Sequence, residues 1–127
     1  MVVDTSAVAA ILFGEPEAAH FEQIIADADS PVISAVAVVE VTIIALSRRG
    51  FGVVEVENRL AGMGLAIVPV GAATARLAAE AFARFGKGRH PAALNFGDCF
   101  SYALARERGE ALLFKGGDFG LTDVAAA

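Results

Sequence analysis

The feature that most constrains the fold of this chain is a regular alternation of short apolar segments with longer helical segments. Short apolar segments bounded by turn signals are typical of buried strands, and longer segments with capping residues are typical of helices. Strands joined by helices form right-handed crossovers, which favours a parallel sheet with helices on both faces. The sequence therefore predicts one α/β domain over residues 1–127, with three α/β/α layers and a central, mainly parallel sheet of four to five strands. The predicted strands are Met1–Val3, Pro31–Ile33, Ala66–Val70 and Ala111–Phe114.

Capping residues set the boundaries of the predicted helices. Ser34 begins the third helix and Gly50 ends it, and these two brackets favour a helix although the run AVAVVEVTII is rich in β-branched residues. The one long irregular loop is Gly86–Leu94. The predicted helices are Ala7–Leu12 after the capping segment Asp4-Thr5-Ser6, a helix from Glu15-Pro16-Glu17 to about Ala26, the helix from Ser34 to Arg49, Val54–Met63, Ala72–Phe85 and Phe96–Arg108.

Three acids follow strands or open helices in a way that brings them to one edge of the predicted sheet. Asp4 follows the first strand, Asp118 lies just past the last strand, and Asp98 is the third helical residue if Asn95 caps its helix. Ligands of open parallel sheets bind outside the carboxyl ends of the strands. Each acid alone has a simpler explanation, because Asp4 and Asp98 suit helix caps and Asp118 suits a turn. Their combination favours a functional site.

A fourth acid, Glu40, stands among apolar residues of the third predicted helix. An ionised carboxylate in such surroundings is strongly destabilising unless it is paired or bound to a cation. A salt bridge to an arginine, or a position on an exposed edge of the helix, would explain Glu40 without any function. These explanations and a role in the site are about equally good from the sequence.

Carboxylates without histidine or cysteine partners describe a site for a hard cation, Mg²⁺ or Mn²⁺. Such a cation binds phosphate oxygens and can activate water for phosphodiester hydrolysis. His20 and His90 have no ligand spacing, so zinc is not expected. The net charge of −5 argues against a protein that coats nucleic acid, but it is compatible with a nuclease whose carboxylates bind cations.

A basic segment rich in glycine lies just upstream of Asp98. Phosphate positioning on a single RNA strand and a merely solvated loop are equally good interpretations of it. Arg48-Arg49 is interpreted first as a charge pair at the carboxyl end of a helix, and second as a contact with RNA or a partner. The candidate RNA-binding side chains of the basic segment are Arg84, Lys87, Arg89 and His90.

Cysteine usage and hydropathy limit the compartment. A single cysteine, Cys99, leaves no disulfide framework and no metal–thiolate cluster. No run of about 18 apolar residues indicates a transmembrane helix, and the start of the chain lacks the pattern of a signal peptide. These features predict a cytoplasmic protein without membrane association. Cys99 and Tyr102 are predicted to belong to the core.

Four segments of the chain together resemble the PIN-domain ribonucleases, specifically the VapC-type toxins of bacterial type II toxin–antitoxin pairs. The resemblance covers essentially the whole chain, and the four segments in this order form a specific combination. It implies a PIN-like fold, Mg²⁺- or Mn²⁺-dependent endoribonuclease activity on an RNA substrate, inhibition by a cognate antitoxin protein, and a homodimer. The segments are MVVDTSA at Met1–Ala7, SAVAVVEV at Ser34–Val41, GKGRHPAALNFGDCFSYALA at Gly86–Ala105 and LLFKGGDFGLTDV at Leu112–Val124.

The resemblance also implies which residues form the site. Ser6 matches the small hydroxyl residue that the family carries near its first Asp. Relatives often have Asn or Asp immediately before the last acid, where this chain has Gly117. We therefore expect weaker metal binding at that corner, with Asp123 as a candidate supporting residue. The implied catalytic and metal-binding quartet is Asp4, Glu40, Asp98 and Asp118.

Other functions stay open from the sequence. A catalytically weak domain of the same family would act mainly by binding its antitoxin or another partner, and Gly117 leaves room for this function. A signalling receiver module is also a small α/β domain with acids at strand ends. It requires an acid pair after its first strand, where this chain has Thr5-Ser6 after Asp4. It also requires an Asp at the end of its third strand, where this chain has Val68-Pro69-Val70. A phosphatase with an Asp nucleophile would need a second Asp two residues after Asp4, where this chain has Ser6.

Overall fold

The computed structural model describes residues 1–127 and contains four strands and six α-helices. A short 3₁₀ helix, Phe119–Leu121, follows the last strand. The strands are β1 (Val2–Val3), β2 (Val32–Ser34), β3 (Ala66–Val68) and β4 (Leu112–Leu113). The helices are α1 (Thr5–Leu12), α2 (Ala18–Asp27), α3 (Ala35–Arg49), α4 (Val53–Gly62), α5 (Ala72–Phe85) and α6 (Phe96–Arg108).

The sheet has the strand order β3-β2-β1-β4, and every neighbouring pair is parallel. A further parallel bridge joins Leu112 to Ala126 at the outer edge of β4. The predicted parallel sheet is confirmed. Because all strands run in one direction, the ends of β1 and β2, the two central strands, open on the same edge.

Side chains of successive strand residues point to opposite faces of the sheet. Val2 and Leu112 belong to a buried cluster with α5 and α6, whereas Val3 and Leu113 belong to a second cluster with helices α1 to α4. The sheet is therefore covered on both faces, which confirms the predicted three layers. None of the helices is both long enough and apolar enough to cross a membrane.

The predicted capping of α3 is confirmed. The Ser34 hydroxyl accepts a hydrogen bond from the backbone N–H of Val36, and Gly50 ends the helix with a φ of 65°. This left-handed conformation is one that glycine adopts without steric cost. The β-branched run forms a helix because one side of it packs into the core, with Ala37 and Val41 fully buried.

Three helices begin at residues other than those predicted, and for α4 the difference is one residue, since it begins at Val53. Asp4 alone caps α1, so the helix begins at Thr5. The second helix begins at Ala18, because Glu15–Glu17 forms a turn before it. The two carboxylates of that turn pair with Lys115, from a distant part of the chain.

Strand boundaries also differ by one or two residues. The third strand ends at Val68 because Pro69 has no N–H to donate to the ladder. The second strand includes Ser34, which is both its last residue and the cap of α3. The order and number of elements agree with the prediction.

Candidate active site

Asp4 lies at the carboxyl end of β1, and its side chain is almost completely buried, with 2 % exposure. Its Oδ2 accepts hydrogen bonds from the backbone N–H of Ser6 at 2.9 Å and from the Ser6 hydroxyl at 2.7 Å. Its Oδ1 is buried and has no hydrogen-bond partner. An unsatisfied buried acceptor is destabilising by about 1–3 kcal/mol, and by more when it is charged. This oxygen is therefore a position where a bound cation would be favourable.

Ser6 connects Asp4 to the loop that follows β4. Its hydroxyl donates to Asp4 and accepts a hydrogen bond from the backbone N–H of Lys115 at 2.9 Å. The oxygen that donates to the acid is thus fixed by a residue more than one hundred positions away. Ser6 orients the carboxylate of Asp4 and at the same time ties β1 to the segment that carries Asp118.

Asp98 opens α6 in the predicted capping arrangement. Its Oδ2 accepts from the backbone N–H of Asn95 at 2.9 Å, and the Asn95 Oδ1 accepts from the Asp98 N–H at 2.8 Å. Burial raises the pKa of Asp98 from 3.8 to about 6, against the lowering effect of the Asn95 hydrogen bond, and the charges of Asp4, Glu40 and Asp118 raise it further. This repulsion weakens with distance, so the nearest of these carboxylates contribute most to the raised pKa.

Glu40 is half-buried and has no salt-bridge partner in the structure. A salt bridge therefore does not explain the presence of Glu40 among apolar residues. Its carboxylate lies against Gly97 in the first turn of α6, where a Cβ atom would be 2.5 Å from the Glu40 Cδ and closer still to Oε2. The absence of a side chain at Gly97 lets the Glu40 carboxylate approach the backbone of α6 beside Asp98.

Asp118 lies in the exposed loop after β4, immediately before the 3₁₀ helix. Neighbouring Gly116 has a φ of 95°, which is the left-handed region that favours glycine. Gly117 does not have a positive φ, and a Cβ atom there would meet nothing within 4 Å. The backbone therefore tolerates a side chain at Gly117, and its glycine is not required by the fold.

A groove of about 330 Å³, here called the acidic groove, contains Asp4, Glu40 and Asp98 together with Ser6 and Asn95. Asp118 is outside this lining, although its charge acts on Asp98. The groove also contains three charged side chains that the sequence did not assign to the site. They are Glu15, Arg48 and Lys115.

The positive charge of Lys115, at the rim of the acidic groove, is balanced by two glutamates. Its Nζ forms ion pairs with Glu15 and, at 3.2 Å, with Glu17. The contacts with Glu15 and Glu17 raise the pKa of this lysine. Lys115 lies two residues after β4, and the sequence gives no sign of its partners because they are about one hundred residues away.

Asp123 is engaged away from the acidic groove. Its Oδ1 accepts a hydrogen bond of 2.5 Å from the Tyr102 hydroxyl, and its Oδ2 pairs with Arg84 at 3.4 Å and with Arg106 at 3.7 Å. Burial, followed by the bond to Asp123, raises the pKa of Tyr102 to about 12. These contacts give Asp123 the role of a tie between the end of the chain and the core, and we do not include it among the candidate metal ligands.

None of the four side chains singled out in the basic segment lines the acidic groove. Arg84 pairs with Asp123 and lies 4.6 Å from the centre of the Phe85 ring. His90 accepts a hydrogen bond from the Ala92 N–H and packs edge-on against Phe85. Only Lys87 and Arg89 are exposed and without an ion pair. They are the two members of this set that stay available for RNA outside the groove.

The donor atoms of the site fit a hard divalent cation. They are carboxylate oxygens, and one of them is buried without a partner. The acids do not by themselves form a closed set of three or more ligands around one point. Mg²⁺ is commonly held by one or two carboxylates, with waters and substrate oxygens completing its shell, so the four acids need not all contact the ion at once.

A larger concave surface next to the acidic groove is apolar. One groove of about 680 Å³ runs along α3 to Phe96, and another of about 370 Å³ runs between α5 and α6 from the same residue. Phe96 is 74 % exposed, and Val39 and Ile43 of α3 are exposed beside it. These two grooves are here called the apolar face. The larger of them meets the acidic groove at Glu40 and Ile44, which line both.

Sequence relatives cover the whole chain. The PIN domain family model matches residues 1–125. The chain is 49% identical over 127 residues to Ribonuclease VapC of Mycolicibacterium smegmatis, covering 99% of this chain and 98% of that protein. It is 46% identical over 129 residues to Ribonuclease VapC28 of Mycobacterium tuberculosis, covering 100% of this chain and 97% of that protein.

Solved structures agree on the fold. The crystal structure of Mycobacterium tuberculosis VapC20, described as a sarcin–ricin loop cleaving toxin, is similar with a TM-score of 0.79 at 21% identity, covering 99% of this chain and 97% of that one. A toxin–antitoxin complex from Klebsiella pneumoniae gives a TM-score of 0.73 at 18% identity, with 99% and 95% covered. With the full-length family match and the identities above, the chain belongs to the PIN domain family and, within it, to the VapC ribonucleases.

Proposed function

We propose that this protein is a metal-dependent endoribonuclease that hydrolyses RNA phosphodiester bonds and serves as the toxin of a toxin–antitoxin pair. The observation that carries the proposal is the buried, unpartnered Oδ1 of Asp4 in the groove that also contains Glu40 and Asp98. Full-length relatives named ribonucleases support the class of reaction. Membership of this family leaves no support for the signalling receiver as an alternative. We expect the activity in the cytoplasm, where the RNA substrate is made.

The residues proposed to hold Mg²⁺ or Mn²⁺ belong to four separate elements of the fold. When bound, the cation supplies Lewis-acid stabilisation of charge on phosphate oxygens and lowers the pKa of water. The chain contributes orientation: Ser6 fixes one oxygen of Asp4, and the Asn95 cap fixes one oxygen of Asp98. With a pKa of about 6, Asp98 is mostly ionised at neutral pH. The proposed ligands are Asp4, Glu40, Asp98 and Asp118.

Metal is expected to stabilise the fold and to be required for cleavage. A cation that binds the native state at about 100 times its Kd adds about 2.7 kcal/mol. For a chain of this length, that corresponds to a rise in Tm on the order of 10 °C. Melting curves and RNA cleavage should be measured in EDTA and in millimolar Mn²⁺ or Mg²⁺. Identical melting curves together with cleavage in EDTA would contradict the proposed metal site.

The partners in this proposal are a cognate antitoxin and a second copy of the chain. The toxin–antitoxin complex that shares the fold supports an antitoxin. The apolar face supports a homodimer, because a largely exposed Phe96 flanked by apolar grooves on both sides is unfavourable in water. The antitoxin would then bind elsewhere or compete for the same surface.

Replacing Phe96 tests the homodimer. Phe96→Asp should convert a dimer to a monomer, since it puts a charge in the centre of the apolar face. The residue lies in the first turn of α6, where an acid is tolerated. Sedimentation equilibrium of both proteins measures the mass. A monomeric unaltered chain at the highest concentration tested would exclude the homodimer without affecting the ribonuclease proposal.

A further inference from the structure

The acidic groove contains two cationic side chains, and they differ in their partners. Lys115 pairs with Glu15 and Glu17. Arg48 is exposed and has no ion pair with any carboxylate, although Glu40, Asp98 and Glu15 line the same groove. An unpaired guanidinium in a groove rich in carboxylates is available for an anion that enters from outside.

The helical repeat explains how Arg48 reaches the groove. Glu40, Ile44 and Arg48 are spaced four residues apart on α3, so they lie on one side of the helix, and all three line the acidic groove. At a rise of 1.5 Å per residue, Arg48 is about 12 Å along the axis from Glu40. At this spacing the two side chains can contact different phosphates of one strand lying in the groove.

The neighbouring arginine provides an internal comparison. Arg49 also lies in the last turn of α3, but its guanidinium is 5.1 Å from the centre of the Phe13 ring. A favourable interaction with the helix dipole applies to both arginines equally. It therefore does not explain why only Arg48 lines the groove.

We propose that Arg48 binds a backbone phosphate of the RNA next to the one that is cleaved. This inference rests on the proposed ribonuclease function. The groove is acidic, so a cation that faces the strand offsets the repulsion between its phosphates and the carboxylates. The planar guanidinium of arginine matches a phosphate with two parallel hydrogen bonds. Arg48 is then an RNA-binding residue whose contact is independent of base sequence.

The salt dependence of RNA binding tests the contact directly. Binding of a fluorescein-labelled, mixed-sequence single-stranded RNA should be measured between about 50 and 200 mM salt, with the Asp98→Asn chain to prevent cleavage. Arg48→Gln in this background should weaken binding about tenfold and reduce the slope of log K against log salt by about 0.7, the value for one lost contact on a single strand. Arg48→Lys should keep the slope and lose part of the affinity. Arg49→Gln should leave the slope unchanged.

The cleavage kinetics of the otherwise unaltered chain give an independent readout. Arg48→Gln should raise KM and leave kcat nearly unchanged, because the contact is made in both the bound substrate and the transition state. If the unaltered chain cleaves RNA and the slopes of Arg48→Gln and Arg49→Gln are equal, the assignment of Arg48 is overturned while the ribonuclease function stands. If the unaltered chain neither binds nor cleaves RNA in the presence of Mn²⁺, the proposed function fails and the role of Arg48 fails with it.

Discussion

Asp98→Asn is expected to abolish RNA cleavage and, in the metal-free protein, to raise stability above about pH 6. Stabilisation of phosphate charge by a metal is worth several kcal/mol, and each 1.36 kcal/mol is tenfold in rate, so the loss should be about 100-fold or more. The helix cap should survive because the Asn side chain keeps an oxygen that can accept from the Asn95 N–H. A binding-only domain would show no metal-dependent cleavage in either protein.

The effect of pH on stability follows from the raised pKa of Asp98. The pKa in the folded protein is about 6, above the usual 3.8, so folding favours the protonated acid. This contribution is fully present below about pH 4 and is lost as the pH rises through about 6. The metal-free Asp98→Asn protein lacks this dependence. Its free energy of unfolding relative to the unaltered protein should therefore rise over that interval and then level off. Urea melts in EDTA at pH 4 and pH 7 measure it, and an equal pH dependence in both proteins would contradict the raised pKa of Asp98.

Gly97→Ala is expected to reduce cleavage nearly as much as Glu40→Gln while leaving the protein folded. The new Cβ would occupy the position of the Glu40 carboxylate, which must rotate away. The backbone can accept the change because the atoms it meets are the far end of a flexible side chain, and alanine is favoured over glycine in a helix by about 0.5–1 kcal/mol. Cleavage assays and denaturant melts measure the two effects separately.

Two further variants complete this experiment. Gly62→Ala is the matched control, because Gly62 also lies in a helix but a Cβ atom there meets nothing within 4 Å. Glu40→Gln should leave the metal-free protein equally or more stable, since Glu40 has no salt-bridge partner that the substitution would strand. Full cleavage by Gly97→Ala would show that the position of the Glu40 carboxylate does not matter to the reaction.

The sequence was informative where local patterns decide the structure. The order of the elements, the Ser34 and Asn95 caps and the arrival of Asp4 and Asp98 at one edge of the sheet could all be predicted from periodicity, capping residues and the geometry of parallel strands. The same rules apply to any chain with these patterns. Glu40 was ambiguous, because its environment depends on how α6 packs against α3 at Gly97.

The features that could not be predicted depend on contacts between distant parts of the chain. The pairing of Lys115 with Glu15 joins residues about one hundred positions apart and leaves no periodic signal. Asp123 stands five residues after Asp118 in sequence, but its side chain is directed to Tyr102 and to two arginines. The glycine-rich basic segment suggested RNA binding by composition alone, whereas the groove itself contains Arg48 from α3.

The distribution of the four acids along the chain has a consequence for when the site can exist. Asp4 and Asp118 come from opposite ends of the sequence, and the link between them runs through Ser6 and the backbone of Lys115. A nascent chain that has not yet added β4 has three of the acids but cannot fix Asp4 through that link. A folded chain in which β4 detaches, or is clipped by a protease, loses the same link. We therefore expect the four-acid site to be complete only after β4 has joined the sheet.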